Sequence, residues 1–496
     1  MLNLPVSEAV KHFLACGTVG SGKTTTIQLF LQSIAKRFRM GSERPEQLIV
    51  FDAKGDMIPR LEALGLKSDD PNFWIFNPFD TRGAVLDLGD AVQTPAMARY
   101  LSSILVPEER NSTAPYFFTT AQQIVYWIAV SLARIRRRTG KNWTLRDLLN
   151  ALESRDRIAA ITRHHERASH IIEQHFADER NFPGVLSHLQ TRLGKFEEVA
   201  ALWHTCKSGR IFSITEFLKS SAVLVLGHDP VLSESIWPMN AVLLQALTNE
   251  ILREDEVTYP RHWFVLDEFR AMEDVRCVRT LLNMGRSKGA SVLLGIQSVE
   301  GLYELYQEHA ANEILGLCST KTFFRSGGPV TAEWAERHFN KVRHVEQTVT
   351  ETYGHEGSKS VQRQVQERSL FLPTMFLDLP FPVQGGTFKS ISDIPCFRTT
   401  FITERPFDQL LAITIRPTKE EQKKASSPRT DPEEQILKPW EKAEIKAFCG
   451  KPRANKPPKK PPKADHEALP TKDATADRRA KQREASSDST NPEPLP

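Results

Sequence analysis

Gly17-Thr-Val-Gly-Ser-Gly-Lys-Thr24 matches the pattern G-x-x-x-x-G-K-[ST] at every position. Gly17, Gly20 and Gly22 let the backbone turn without Cβ clashes, so the N–H groups of this stretch, Thr18, Val19 and Ser21 included, converge on an anion. Lys23 would then reach the β- and γ-phosphates of a nucleotide, and the Thr24 hydroxyl would ligate Mg²⁺. The flanks supply the required context. His12 to Cys16 is a short apolar run that predicts a buried strand. After the loop, Ile27, Phe30, Leu31, Ile34, Ala35 and Phe38 follow helical spacing, with Gly41 as a stop. Gln47-Leu-Ile-Val-Phe-Asp52 predicts a second strand. A strand–turn–helix–strand order implies an α/β fold with a parallel sheet.

From Val92 to Arg210 the pattern is helical throughout, over Met97–Val106, Thr120–Arg137, Leu145–Leu152 and Val185–Trp203. Thr144 and Asp147 have the spacing of a capping box. Strand runs return at Ala222–Leu226, His262–Asp267, Ala290–Gly295 and Lys321–Phe324. The expected divisions are therefore 1–91 and 211–416 for two parts of an ATPase domain, 92–210 for an all-α insertion, and 417–496 for a disordered tail. Thr348 to Leu370 alternates in polarity around Gly354-His-Glu-Gly357 and predicts a hairpin.

Charge supports this division. Of 65 basic and 61 acidic residues, 18 and 14 lie from Pro417 onward, leaving 47 of each before it. A neutral body excludes a uniformly basic nucleic-acid coat and restricts any such contact to local patches. Arg134, Arg136, Arg137, Arg138 and Lys141, followed by Trp143, form one candidate patch, with a solvated helix end as the plain alternative. Lys451 to Lys463 holds six cations and no acid, and suits DNA, anionic lipid or an acidic partner equally. Six scattered cysteines without C-x-x-C argue against a zinc site or a disulfide framework. With no apolar run of bilayer length and no leader pattern, the chain is expected to be cytoplasmic.

The magnesium needs a second acidic element, and two strands end in Asp. Asp52 follows Leu48-Ile-Val-Phe51, and Asp267 follows Trp263-Phe-Val-Leu266 with Glu268 directly after it. The pair suits hydrolysis: Asp267 for the metal shell, Glu268 to polarise the attacking water. Asp267 and Glu268 are preferred, and Asp52 stays as the alternative. Gln297, at the end of the Ser291–Ile296 run, is placed to sense the γ-phosphate. Arg286 is a candidate arginine supplied to a neighbouring subunit, or simply a cation at a helix C-terminus. Arg325 is a weaker rival.

The ordered set of His12–Thr24, Val50-Phe-Asp-Ala-Lys-Gly-Asp56, Phe76-Asn-Pro-Phe-Asp80, Val265-Leu-Asp-Glu-Phe269, Gly285-Arg-Ser-Lys-Gly289 and Gly295-Ile-Gln-Ser298 resembles the TraD/TraG-type coupling ATPases of bacterial type IV secretion and conjugation. The resemblance spans roughly His12 to Arg416. It implies a RecA-like P-loop nucleotide-binding domain with an inserted all-α domain, using ATP and Mg²⁺. It further implies a homo-hexamer at the cytoplasmic face of the bacterial inner membrane, binding DNA without sequence preference and passing relaxase-bound single strands to the secretion channel. Lys23, Thr24, Asp267, Glu268, Arg286 and Gln297 match its phosphate, metal, catalytic, trans-arginine and sensor positions. Family members usually begin with transmembrane helices, whereas only Met1 to Cys16 precede the loop here. The expectation is a separate membrane-anchor protein, or a truncated or soluble variant.

The leading reading is thus an ATP-driven motor that delivers relaxase-bound single-stranded DNA. The alternative is a nucleotide-gated adaptor that recruits protein substrates through the tail and the helical insertion. A small-molecule kinase is disfavoured by the chain length, by Glu268 and by the insertion.

Overall fold

A computed structural model describes residues 4–39, 44–108, 115–206, 208–229, 231–272, 276–339, 341–352, 358–423 and 427–450. Among these, nine strands form one sheet: β1 Phe13–Cys16, β2 Gln47–Asp52, β3 Phe73–Phe76, β4 Ala222–Gly227, β5 His262–Leu266, β6 Ala290–Ile296, β7 Thr320–Phe323, β8 Thr387–Ile394 and β9 Thr399–Pro406. Their order is β9-β8-β7-β1-β6-β5-β2-β4-β3. Pairings from β7 to β3 are parallel, whereas β8 runs antiparallel to both β7 and β9. Parallel strands covered on both faces carry unbroken apolar runs, and β2, β4, β5 and β6 are buried at every position.

The pleat sends alternate residues to opposite faces. Leu48, Val50, Val225 and Val265 pack with Ile27, Leu31 and Ile34 of helix α1, Lys23–Arg39, and with Leu61. Ile49, Phe51, Leu224 and Leu266 face the other way, into a larger core. That core continues without a break into the helices Pro95–Leu105, Pro115–Thr139, Leu145–Ala151, Phe182–Gly194 and Glu197–His204. The Thr144–Asp147 capping box forms as its spacing predicts.

Strands Lys341–Thr352 and Ser358–Ser369 make an antiparallel hairpin, starting earlier than the alternation suggested; the expected turn at Gly354–Gly357 lies outside the described residues. Neither β8 nor β9 was expected. β9 is the edge strand and largely exposed, and β8 lies next to it with polar residues interleaved, so neither has the apolar run that identifies the inner parallel strands.

The expectation of disorder from Pro417 onward is corrected for residues 417–423 and 427–450. Helices Lys419–Lys423 and Lys442–Cys449 form there, and the segment from Ser427 straps the sheet region to the helices. Asp80 bridges to Pro428, and Arg429 donates to the Leu202 carbonyl. Farther on, Trp440 donates its indole N–H to Asp147 at 2.7 Å, while Arg146 makes a two-pronged pair with Glu444 at 2.8 and 3.0 Å. Average composition concealed this. The two aromatic residues of the segment, Trp440 and Phe448, are buried with their rings stacked, so docking supplies burial that a local reading cannot count. The basic run Lys451–Lys463 lies outside the described residues.

Candidate active site

Because β1, β5, β6 and β7 are parallel, their C-terminal ends open on one side of the sheet, where ligands of open α/β sheets bind. The loop after β1 is tied to both neighbours: Gly17 N–H donates to the Ile296 carbonyl at 3.1 Å, and Thr18 N–H to the Arg325 carbonyl at 2.9 Å. Ser21 Oγ closes the turn on the Thr18 carbonyl at 2.7 Å. Val19 is exposed at the tip. Gly22 has φ +98°, and a Cβ there would stand 2.7 Å from the Phe388 ring, so both conformation and space require glycine. The chain then enters α1 at Lys23 and Thr24, presenting unpaired N–H groups and the positive dipole end.

Lys23 is only 4% exposed, and its Nζ hydrogen-bonds to nothing among the described residues. A buried ammonium without a hydrogen-bond acceptor is costly. The nearest carboxylate oxygen is Glu268 Oε1 at 3.6 Å. Contrary to the sequence expectation, the Thr18 and Ser21 N–H groups donate to the Arg325 and Thr18 carbonyls. The orphaned ammonium at the N-terminus of α1 still fits a phosphate ligand, and the Thr24 hydroxyl and Asp267 carboxylate are oxygen donors of the kind Mg²⁺ takes.

The twin acids arrive from β5, two strands from β1 with β6 between them. Gly295 of β6 makes this approach possible: a Cβ there would lie 2.5 Å from Asp267 Oδ1. Burial pushes the Asp267 carboxyl up, against the opposing pull of Lys23 and Lys54. Glu268 stands at φ +57°, a left-handed conformation uncommon for a residue with a side chain. Its Oε1 accepts from Lys54 Nζ at 2.9 Å and its Oε2 from Gln297 Nε2 at 2.6 Å. Burial pushes Glu268 up as well, but Lys23, Lys54 and Gln297 outweigh it and hold the carboxyl below its ordinary range. The carboxylate stays ionised and oriented, as a group that polarises water must be. Gly295→Ala is expected to displace Asp267 and lower nucleotide turnover at least tenfold with the melting temperature little changed. Turnover equal to that of the unaltered chain would show that Asp267 has room elsewhere.

Asp52 ends β2 nearby but is engaged locally. Its two oxygens accept from Asp56 N–H at 3.0 Å and Met57 N–H at 3.2 Å, capping the helix Met57–Ala63. Burial, then the neighbouring Asp56, raises its carboxyl to about 6. Between the two acidic strands, the geometry around Lys23 therefore favours Asp267 and Glu268.

Arg286 is not in this constellation. It lies exposed in the turn Gly285–Lys288, directly before β6, at the end of the sheet opposite the loop. Arg325 is close to the loop, but its guanidinium donates to the Leu379 carbonyl and covers the Phe381 ring at 4.7 Å. The candidate nucleic-acid patch is largely spent on structure. Arg136 donates to the Gly89 carbonyl and faces Asp87 and Asp90, Arg137 donates to the Gln93 carbonyl, and Lys141 covers Phe448. Trp143 is fully buried, so it has no face on which a base can stack.

Lys54 and Gly295 escaped the sequence reading as site residues, although both lie inside motifs it singled out. The signal for Lys54 is its place just past β2, which neighbours β5 and ends level with it. That adjacency is invisible until the strand order is known.

Among the described residues no helix is long and apolar enough to cross a membrane. A family model described as the type IV secretion-system coupling protein DNA-binding domain matches residues 1–401. Coupling protein TraD of Escherichia coli (strain K12) is 21% identical over 410 residues, 80% of this chain, which spans about half (52%) of TraD's length. The fold is similar to that of the bacterial conjugative coupling protein TrwBdeltaN70 in its unbound monoclinic form, with a TM-score of 0.61 at 16% identity, over 86% of this chain and 89% of that one. TrwB in complex with ADP and Mg²⁺ gives 0.58 at 16% identity, over 82% and 89%. These likenesses support the α/β, RecA-like assignment of the sheet. With a match that takes in the loop, the twin acids and the helices between them, the chain belongs to the type IV secretion coupling-protein family that carries this DNA-binding domain.

Proposed function

We propose that this chain is an ATP-hydrolysing, DNA-binding motor of a type IV secretion system, delivering relaxase-bound single-stranded DNA to the channel during conjugation. The observation that carries it is the convergence of Lys23, Asp267, Glu268 and Gln297 at one end of the sheet, from three separated stretches of sequence. In this reading Gly17 to Thr24 bind the phosphates of ATP. Bound Mg²⁺ would neutralise charge developing between the β- and γ-phosphates, held by Thr24 and Asp267. Lys23 brings a fixed positive charge to the same oxygens, Glu268 orients and polarises the attacking water, and Gln297 holds Glu268 in place. The residues 92–210 then act as an all-α insertion between two halves of the nucleotide-binding part.

Arg286 lies at the far end of β6 from its own chain's proposed phosphate loop, a place that suits service to a neighbour's site in a ring, a homo-hexamer on the family pattern. A place at the cytoplasmic face of the inner membrane, with relaxase and channel components as partners and a separate membrane anchor, follows from the same reading.

ATP hydrolysis measured with and without single-stranded DNA tests it. Turnover should rise with DNA and fall about 10²–10³-fold in Lys23→Ala, the usual cost of removing one preorganised charge donor. Turnover at background in the unaltered chain, with DNA present, would overturn the reading.

A further inference from the structure

Lys54 is the cation at this site to which the sequence reading gave no part, and its placement carries an inference that rests on the nucleotide-hydrolysing reading above. It stands two residues beyond the end of β2, in a turn whose next residue, Gly55, has φ +71°. Nothing lies within 4 Å of where a Gly55 Cβ would stand, so the tip of the turn is open, and the Lys54 side chain is 47% exposed. From there Nζ reaches Glu268 Oε1 at 2.9 Å, the same oxygen that lies 3.6 Å from Lys23 Nζ.

Two ammonium groups thus converge on one carboxylate oxygen, and they are not equivalent. Lys23 is buried at the start of α1, where the helix fixes its backbone. Lys54 sits at the end of a flexible four-carbon stem on an open turn, free to change partner without disturbing the core. Its present partner is the carboxylate assigned to the attacking water. An ammonium on Oε1 takes one of that oxygen's lone pairs and makes the Glu268 carboxylate a weaker base toward that water.

We propose that Lys54 is a positioning residue that distinguishes a nucleoside triphosphate from a diphosphate. Without a terminal phosphate it holds Glu268; with one beside Lys23, its ammonium leaves Glu268 for the phosphate oxygens. Phosphate oxygens carry more charge than one carboxylate and compete well for a mobile ammonium. Glu268 keeps Gln297 at 2.6 Å, so it stays oriented while its Oε1 becomes available. A diphosphate offers no terminal group there, and the Lys54–Glu268 pair stays closed. No covalent bond forms or breaks in the exchange; only the partner of one ammonium changes.

The test compares Lys54→Met and Lys54→Arg with the unaltered full chain, measuring affinity for a non-hydrolysable ATP analogue and for ADP, each with Mg²⁺, by titration calorimetry. Lys54→Met should weaken the ATP analogue about tenfold or more, the size of one charge-assisted hydrogen bond. ADP should stay within about twofold, which also reports that the variant is folded. Lys54→Arg should recover most of the difference. An unchanged analogue-to-ADP ratio in Lys54→Met overturns the proposal, and so does an equal loss for both nucleotides, which would mark Lys54 as support for the site as a whole. An unaltered chain that binds neither nucleotide overturns the hydrolysing reading itself, a failure distinct from the other two.

Discussion

Arg286→Ala is expected to lower ATP turnover by about 10³–10⁵-fold, the range seen when an arginine completes a phosphoryl-transfer site, while nucleotide affinity stays as it was. The reason is where the side chain sits. Arg286 precedes β6, and Gln297 directly follows it. Seven residues of extended strand place the two ends about 20 Å apart. Arg286 therefore cannot reach the phosphates of its own chain, yet its exposed turn can meet a neighbour's. Mixing two inactive variants separates this from a structural role. A Lys23→Ala chain still presents Arg286, and an Arg286→Ala chain still has an intact loop, so a mixture should recover part of the lost turnover. If the mixture stays inactive, or Arg286→Ala alone turns over normally, Arg286 reverts to a cation complementing the C-terminus of the helix Arg276–Met284.

Glu268→Gln should bind ATP with little change but turn it over about 10²–10⁴-fold more slowly, the usual contribution of a positioned general base. The amide keeps the volume and accepts one hydrogen bond, so the loss falls on kcat rather than on KM. The backbone argues for the same role. A non-glycine residue at φ +57° costs of order 1–3 kcal/mol and persists where the surroundings impose it. Here the Asp267 carboxylate accepts the Glu268 N–H at 3.0 Å, and Lys54 and Gln297 hold its side chain. A rise in KM at constant kcat would reassign Glu268 to ground-state binding.

Much of this site was legible along the chain. The proposed phosphate loop stood out because its pattern is local: glycines, lysine and threonine fall within eight consecutive residues. The inner strands could be read because burial on both faces leaves an unbroken apolar run, as in Leu48–Phe51 and Val223–Leu226. β9, at the sheet edge and largely solvated, and β8 beside it, with polar residues interleaved along its length, carry no such mark. Both Asp52 and Asp267 end apolar strands, and only the adjacent Glu268 gave Asp267 the preference in sequence. The side-chain partners favour the same choice: Asp52 accepts from the first N–H groups of the helix Met57–Ala63, while Asp267 packs against Gly295 on the loop side.

Sequence alone therefore determined the parallel α/β core and the helical character of the stretch after it, and marked Gly17–Thr24 as the proposed phosphate loop, since each rests on neighbours or on periodicity within one element. Tertiary structure alone decided what meets what. It placed Lys54 and Gln297 on Glu268, removed Arg286 from its own chain's site, buried Trp143, and folded 427–450 onto the helices through Trp440 and Arg146. The physical reason is that these contacts join residues far apart in the chain: the order of strands brings the site together, and packing on the helices brings 427–450 within hydrogen-bonding distance.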